Sequence, residues 1–275
     1  MKNIQLKYDF VSPHGHTQYG VTGQGPAVVV CHGTPASSHI WDEVIEYLKD
    51  DFTFYYFDLP GYGVSDKFSG QDVRLRAFAQ SMSAFIEELK LDTPHIVGHD
   101  FGAATVLGAH LVEAVPVKSI TIADGVVLPP WGPAFSRHVK DNESVFAAVP
   151  EYVHEAVLRA HIHTAMTHQP PEHVLQAFVN PWLGGAGQAA YYRQVAQYDY
   201  DYTSQLEGLY PQITVPVTVL WGEKDAWVNI SEGRRFSGMI PQAEFTVLHD
   251  AGHFSMIDAP SAFSHALKGA LLSAE

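Results

Sequence analysis

Gly98-His99-Asp100-Phe101-Gly102 limits the architecture more than any other run in the chain. A short, partly β-branched segment, Pro94-His95-Ile96-Val97, leads into it, and Ala103 to Leu111 leaves it with helix-forming composition. A strand that turns straight into a helix forces an unfavourable backbone on residue 100. Glycines at 98 and 102 remove the side chains that would collide there. The helix start turns its unpaired N–H groups toward the turn and favours negative charge. This pattern is the elbow written G-x-S-x-G, with aspartate at the nucleophile position. The plainer reading, an aspartate capping an ordinary helix, uses the same residues. A carboxylate here is a poor agent for opening esters or amides. It can displace a leaving group at a saturated carbon and become an alkyl ester.

Other segments supply context. Ala27 to Cys31 is an apolar strand ending in His32-Gly33-Thr34-Pro35, where a backbone N–H can serve an oxyanion. The two donors are assigned as the amides of Thr34 and Phe101. Tyr55 to Asp58 is a strand followed by the glycine-rich turn Leu59-Pro60-Gly61-Tyr62-Gly63-Val64-Ser65. Val217 to Gly222 is a strand that runs into Glu223-Lys224-Asp225, and Leu248-His249-Asp250-Ala251-Gly252-His253 closes another. The chain order is nucleophile Asp100, acid Asp225, histidine His253. His253 is the expected general base and Asp225 its orienting partner. His32 and His99 flank the same site and are expected to hold loops in place, with His32 at the edge of the substrate pocket.

With these motifs in view, the chain resembles the α/β-hydrolase superfamily, in its branch of epoxide hydrolases and haloalkane dehalogenases with an aspartate nucleophile. The resemblance covers nearly all of the core and thins out over roughly 129–211. Thr34 departs from it, standing where those enzymes usually carry an aromatic residue. The resemblance implies an α/β fold with a mostly parallel sheet of about eight strands, flanked by helices and carrying an inserted helical cap. It implies no cofactor and no metal. It also raises a competing acid, Asp124, because some haloalkane dehalogenases carry theirs at that strand end.

The pattern along the chain agrees with that outline. Strands and helices alternate from Val28 onward, as in a parallel sheet covered on both faces. Leu75, Phe78, Met82, Phe85 and Leu89 recur three and four apart, giving one buried helix face. The alternation breaks at Val126 to Pro133 and resumes after Pro211. Residues 1–128 and 212–275 are therefore read as core, and 129–211 as a cap over the edge where ligands of such sheets bind. The length of 275 residues suits one large core plus that cover. A net charge of −14 argues against nucleic acid or an anionic membrane as partner. No apolar run reaches membrane-spanning length, and the start Met1-Lys2-Asn3-Ile4-Gln5-Leu6 lacks a secretory signal. The lone Cys31 excludes an internal disulfide. A cytoplasmic enzyme acting on a small molecule is expected, with a homodimer left open.

The leaving group decides the reaction. An epoxide oxygen needs a proton, and epoxide hydrolases supply it from cap tyrosines. Ala190-Tyr191-Tyr192-Arg193 is similar to their Asn-Trp-Tyr-Arg signature, which points to Tyr192, with Tyr152 as a second donor. A halide instead needs N–H donors in an apolar pocket. Haloalkane dehalogenases carry Trp directly after the nucleophile, whereas this chain has Phe101. Trp131 or Trp182 is left to supply such a donor. Phe101 also replaces the Arg that fluoroacetate dehalogenases use to hold a carboxylate. Opening of a small apolar epoxide is thus the first expectation. Carbon–halogen hydrolysis with an atypical halide clamp is the second, and a silent, ligand-binding hydrolase fold the third. His161, His163 and His168 match no common metal spacing, and Tyr198 to Tyr202 reads as a cap rim.

Overall fold

The computed structural model describes residues 4–132 and 134–275; Met1 to Asn3, part of the start examined for a signal, and Pro133, at the end of the break, lie outside the described residues. Eight strands form one sheet: β1 (Tyr8–Ser12), β2 (Gly15–Gly23), β3 (Ala27–Cys31), β4 (Thr53–Phe57), β5 (His95–His99), β6 (Ser119–Ala123), β7 (Val217–Gly222) and β8 (Ala243–Leu248). Their order is β1-β2-β4-β3-β5-β6-β7-β8. β1 and β2 pair antiparallel, β2 also runs antiparallel to β4, and the remaining pairs are parallel. β3, β5 and β6 are buried along nearly their whole length, which explains their continuous apolar runs.

Helices cover both faces. α1 (Asp42–Leu48) packs with the C-terminal α12 (Pro260–Ser273), while α2 (Leu75–Glu88) packs on α3 (Phe101–Leu111). The predicted stripe on α2 holds: Leu75, Phe78, Met82 and Phe85 are buried and Leu89 packs against the core edge. Each such side chain contributes about 1.5–3 kcal/mol on burial. Between β6 and β7 the chain makes the helices of the cap: α4 (Ala134–Asp141), α5 (Glu143–Ala147), α6 (Glu151–His163), α7 (Glu172–Val179), α8 (Gly184–Ala196) and α9 (Tyr200–Glu207). Pro150 and Pro171 stand directly before α6 and α7, where a fixed φ suits a helix start. α10 (Ile230–Ser237) and the short α11 (Ser255–Asp258) complete the core. Among the described residues, no helix is long and apolar enough to cross a membrane.

Register aligns the strand ends that matter. Cys31 lies beside Gly98, His99 beside Ala123, and Gly222 beside Leu248. The loops carrying Thr34, Asp100, Asp124, Asp225 and His253 therefore leave one edge of the sheet together, under the cap.

Several buried or partly buried histidines have pKa values pushed below the ordinary range, and this has a consequence for acid stability. Burial pushes His39 down to about 3 and, with the nearby His253, His161 to about 4. Burial also lowers His32 and His99. The unfolded chain binds these protons at higher pH than the native one does. Their stabilisation is full above pH 6.5 and is lost as pH falls through 6.5 toward those depressed values. Three groups oppose this. Burial raises Asp42 to about 6, burial plus the charge of Asp225 raises Asp124, and the charges of Asp225 and Asp100 raise His253. His95 and His154 are lowered by burial as well, so the lowered histidines outnumber the opposing groups and stability is expected to fall from pH 6.5 to 5.5. Urea unfolding at the two values checks it; an unchanged or higher midpoint at pH 5.5 would contradict the balance.

Candidate active site

β5 hands the chain to α3 through Asp100, whose backbone sits at φ 52°, ψ −117°. That positive φ costs a non-glycine residue about 1–3 kcal/mol. It is held by hydrogen bonds from Asp100 N to Ala123 O (3.3 Å) and from the N–H groups of Ala103 and Val126 to Asp100 O (3.0 Å each). A Cβ at Gly98 would strike Gly102 O, and one at Gly102 would strike Cys31 O. A Cβ at Gly33 would strike Asp100 Oδ1. The glycines of the motif are thus the condition for bringing β3 and the elbow together.

The two carboxylate oxygens of Asp100 have different partners. Oδ1 accepts the Thr34 N–H at 2.6 Å. Oδ2 lies 3.4 Å from His253 Nε2. His253 Nδ1 is 3.0 Å from Asp225 Oδ2, and Asp225 Oδ1 accepts the N–H groups of Trp227 (2.8 Å) and Val228 (2.9 Å). Phe101 opens α3, so its amide is one of the helix's unpaired donors beside Asp100. His253 is buried. Burial alone would lower its pKa, but the charges of Asp225 and Asp100 outweigh it and hold the pKa well above the ordinary histidine value. The backbone of His253 is fixed by its N–H to Ala165 O (2.8 Å) and by His99 Nε2 on its carbonyl (2.8 Å).

Asp124 is also buried, yet it serves the sheet. Oδ1 accepts the Gly222 N–H at 2.6 Å and Oδ2 shares a short hydrogen bond with Ser255 Oγ. Burial, then the charge of Asp225, raises its pKa well above the usual carboxylate range. Both Asp124 oxygens are taken by Gly222 and Ser255, so the geometry pairs His253 with Asp225.

A cavity enclosing about 400 Å³ of empty space, part of it open to solvent, lies over Asp100. Its wall includes Thr34, Phe101, Trp131, Tyr191, Gln194 and Tyr198. Several expectations about the cap need correction here. Tyr192 is fully buried but does not line the cavity. Its hydroxyl donates to His154 Nδ1 (3.0 Å), whose Nε2–H is committed to Trp182 O (3.0 Å). Its neighbour Tyr191 lines the cavity instead, because successive helix residues point about 100° apart. Tyr152 is 76 % exposed on α6 and lies outside the cavity. Trp182 is buried with Nε1 donating to Pro35 O (2.7 Å), a tie between cap and core rather than a pocket donor. Trp131 does line the cavity, but its Nε1 is spent on Thr203 Oγ1 (3.0 Å). His32 sits behind the site, accepting the Leu59 N–H at Nε2 (2.9 Å) and reaching Gly33 O through Nδ1 (3.0 Å). It shapes the loop carrying Thr34 and leaves the pocket to other groups.

Tyr191, Gln194, Tyr198, His161 and Trp227 are wall residues that motif reading did not single out as site residues. The only sequence signal for them is the clustering of Tyr191, Gln194 and Tyr198 in one short stretch of the cap. His161 stacks on Trp227 at 4.5 Å and 17°, and Trp227 lies 5.0 Å from the His253 ring.

Comparison with known proteins agrees with this topology. The family described as "alpha/beta hydrolase fold" matches residues 26–260. The chain is 34% identical to an alpha/beta hydrolase fold protein from Burkholderia ambifaria of known structure, covering 96% of this chain and 98% of that one, with a TM-score of 0.93. It is 26% identical to haloalkane dehalogenase 2 of Mycobacterium tuberculosis over 94% of this chain and 92% of that protein. A thermophilic esterase from Thermogutta terrifontis shares the fold at 20% identity, covering 97% of this chain and 98% of that one, with a TM-score of 0.80. A match running from β3 to the start of α12, on a sheet that gathers its reactive loops at one edge, means that the chain belongs to the α/β-hydrolase fold family.

Proposed function

We propose that this α/β-fold hydrolase cuts a carbon–halogen bond at a saturated carbon of a small molecule, through an ester on Asp100. The observation that carries the reading is the unequal treatment of the Asp100 oxygens on a residue that lines the cavity: Oδ1 is held by an amide, and Oδ2 lies 3.4 Å from His253 Nε2. Oδ2 attacks carbon and the halide leaves with the bonding electrons. The new ester keeps Oδ1 against the Thr34 amide. Esterification also removes one of the two negative charges that hold the His253 proton. Its proton affinity falls, and the neutral ring becomes a base for a water attacking the Asp100 Cγ. The oxyanion then formed on Oδ1 is met by the amides of Thr34 and Phe101. Collapse releases an alcohol, which takes its proton from His253, and the carboxyl left on Asp100 passes its remaining proton to the ring, restoring carboxylate and imidazolium.

Two facts support a halide over an epoxide. The relative named a haloalkane dehalogenase matches over nearly its full length, and the Tyr192 hydroxyl is committed to His154. One observation favours the epoxide reading as a second: Tyr191 and Tyr198 both line the cavity, where their O–H groups could serve a ring oxygen. An assay on chloro-, bromo- and epoxyalkanes of equal chain length separates the readings. Halide release with alcohol is expected. Diol formation without halide release would overturn the first reading in favour of the second. In a single turnover in heavy-oxygen water, the label should enter the Asp100 carboxylate while the first alcohol stays unlabelled. Label in that first product would remove both readings, since each passes through the ester.

A further inference from the structure

We infer that Gln194 is the residue whose side-chain N–H takes up charge on the departing halide. The inference rests on the carbon–halogen reading above. Gln194 lies on α8, is 2 % exposed and lines the cavity with Asp100 and Phe101. Its Oε1 accepts two hydroxyls, Tyr62 at 2.9 Å and Thr34 at 3.1 Å. Tyr62 is itself pinned by edge contacts with Trp182 (5.1 Å) and Phe78 (5.7 Å). With Oε1 turned to those two hydroxyls, the other end of the planar amide carries the N–H groups. Nε2 makes no hydrogen bond to any described residue. Those N–H groups are left free of protein partners on a residue of the cavity wall, available to an anion there.

The other nitrogens of the wall are less suited. The indole N–H groups of Trp131 and Trp227 are used by Thr203 and Thr164. His161 lies flat on Trp227, whose ring lies 5.0 Å from that of His253, so it belongs with the base rather than with Thr34. Gln194 is instead tied to Thr34, the residue whose amide holds Asp100 Oδ1. A neutral amide also fits turnover, because a cationic clamp would bind the released halide more strongly.

Leaving-group dependence tests the assignment. Gln194→Met keeps the volume and removes the N–H groups. A donor to the leaving group matters most where that group leaves least readily. The rate of Asp100 alkylation, followed by intact mass in the His253→Gln background, should fall about 10²–10³-fold for a chloroalkane. For the matching iodoalkane the fall should be under about tenfold. Tyr62→Phe, which keeps Gln194 but releases half of its anchor, should show the same halide order at a smaller size and covers the case in which the first variant misfolds. An equal loss for all halides, no loss, or a halide-ordered loss in His161→Phe instead would overturn the inference while leaving the ester mechanism standing. No adduct with any haloalkane in His253→Gln would remove the carbon–halogen reading and this assignment together.

Discussion

His253→Gln should stop the enzyme after one chemical step. Asp100 Oδ2 needs no base to attack an alkyl carbon, so the first half-reaction survives the change. The water step does not survive it, because Gln cannot accept a proton. Steady-state turnover is expected to fall by about 10⁴-fold or more. One equivalent of halide should still be released per chain, and the alkyl group should remain as added mass on the peptide containing Asp100. The change leaves the local backbone ties in place, since the 253 amide still reaches Ala165 O and its carbonyl still accepts from His99. Acid should reproduce the effect in the unaltered protein. Once Asp100 is esterified, His253 keeps only Asp225 as a charged partner and binds its proton less tightly than before. Below its pKa in that state, the ester-hydrolysis step should slow about tenfold per pH unit while alkylation continues. Ester should therefore accumulate as pH falls. A variant that turns over normally, or that releases halide without added mass, would sink the covalent mechanism.

How far the sequence reached follows from where each residue sits in the chain. Asp100, Thr34, Asp225 and His253 lie in loops that directly follow strands. Their convergence needs only that β3, β5, β7 and β8 be parallel and in register, and alternating strands and helices encode that locally. The glycines of the elbow were legible for the same reason: the clash they avoid is between near neighbours. The cap was not legible at side-chain level. A signature centred on residue 192 misses the cavity by one residue, and one residue on α8 is a rotation of about 100°. Trp131 and Trp182 looked like donors because nothing near them in sequence consumes an indole N–H. Their partners, Thr203 and the Pro35 carbonyl, lie 72 and 147 residues away. Gln194 was missed for a related reason. An isolated glutamine has no motif value until the fold sets it against the Tyr62 and Thr34 hydroxyls in the cavity wall.

Asp225→Asn should lower turnover by about 10⁴-fold, and Asp124→Asn by less than about tenfold. Asp225 meets His253 Nδ1 at 3.0 Å and is held in that pose by two backbone N–H groups. Its amide would present the wrong charge and, in one orientation, a donor to a donor. Asparagine at 124 keeps an oxygen to accept the Gly222 N–H, and the Ser255 hydroxyl, which donates to Asp124 Oδ2, can turn to accept from the new amide instead. The pair also predicts a pH effect with a definite sign. Burial is the largest cause of the raised Asp124 pKa, and the Asp225 charge is the next. Removing that charge lets Asp124 ionise at lower pH than before. The residual activity of Asp225→Asn should then rise with pH as Asp124 becomes a carboxylate near His253. Asp124→Asn added to Asp225→Asn should abolish the rise. Both carboxyls can be followed in one experiment by measuring single-turnover ester hydrolysis across pH 6–9 in the two single variants and the double variant. A larger loss in Asp124→Asn than in Asp225→Asn would exchange their roles. A flat pH profile in Asp225→Asn would mean that Asp124 holds strands together and takes no part in moving the proton.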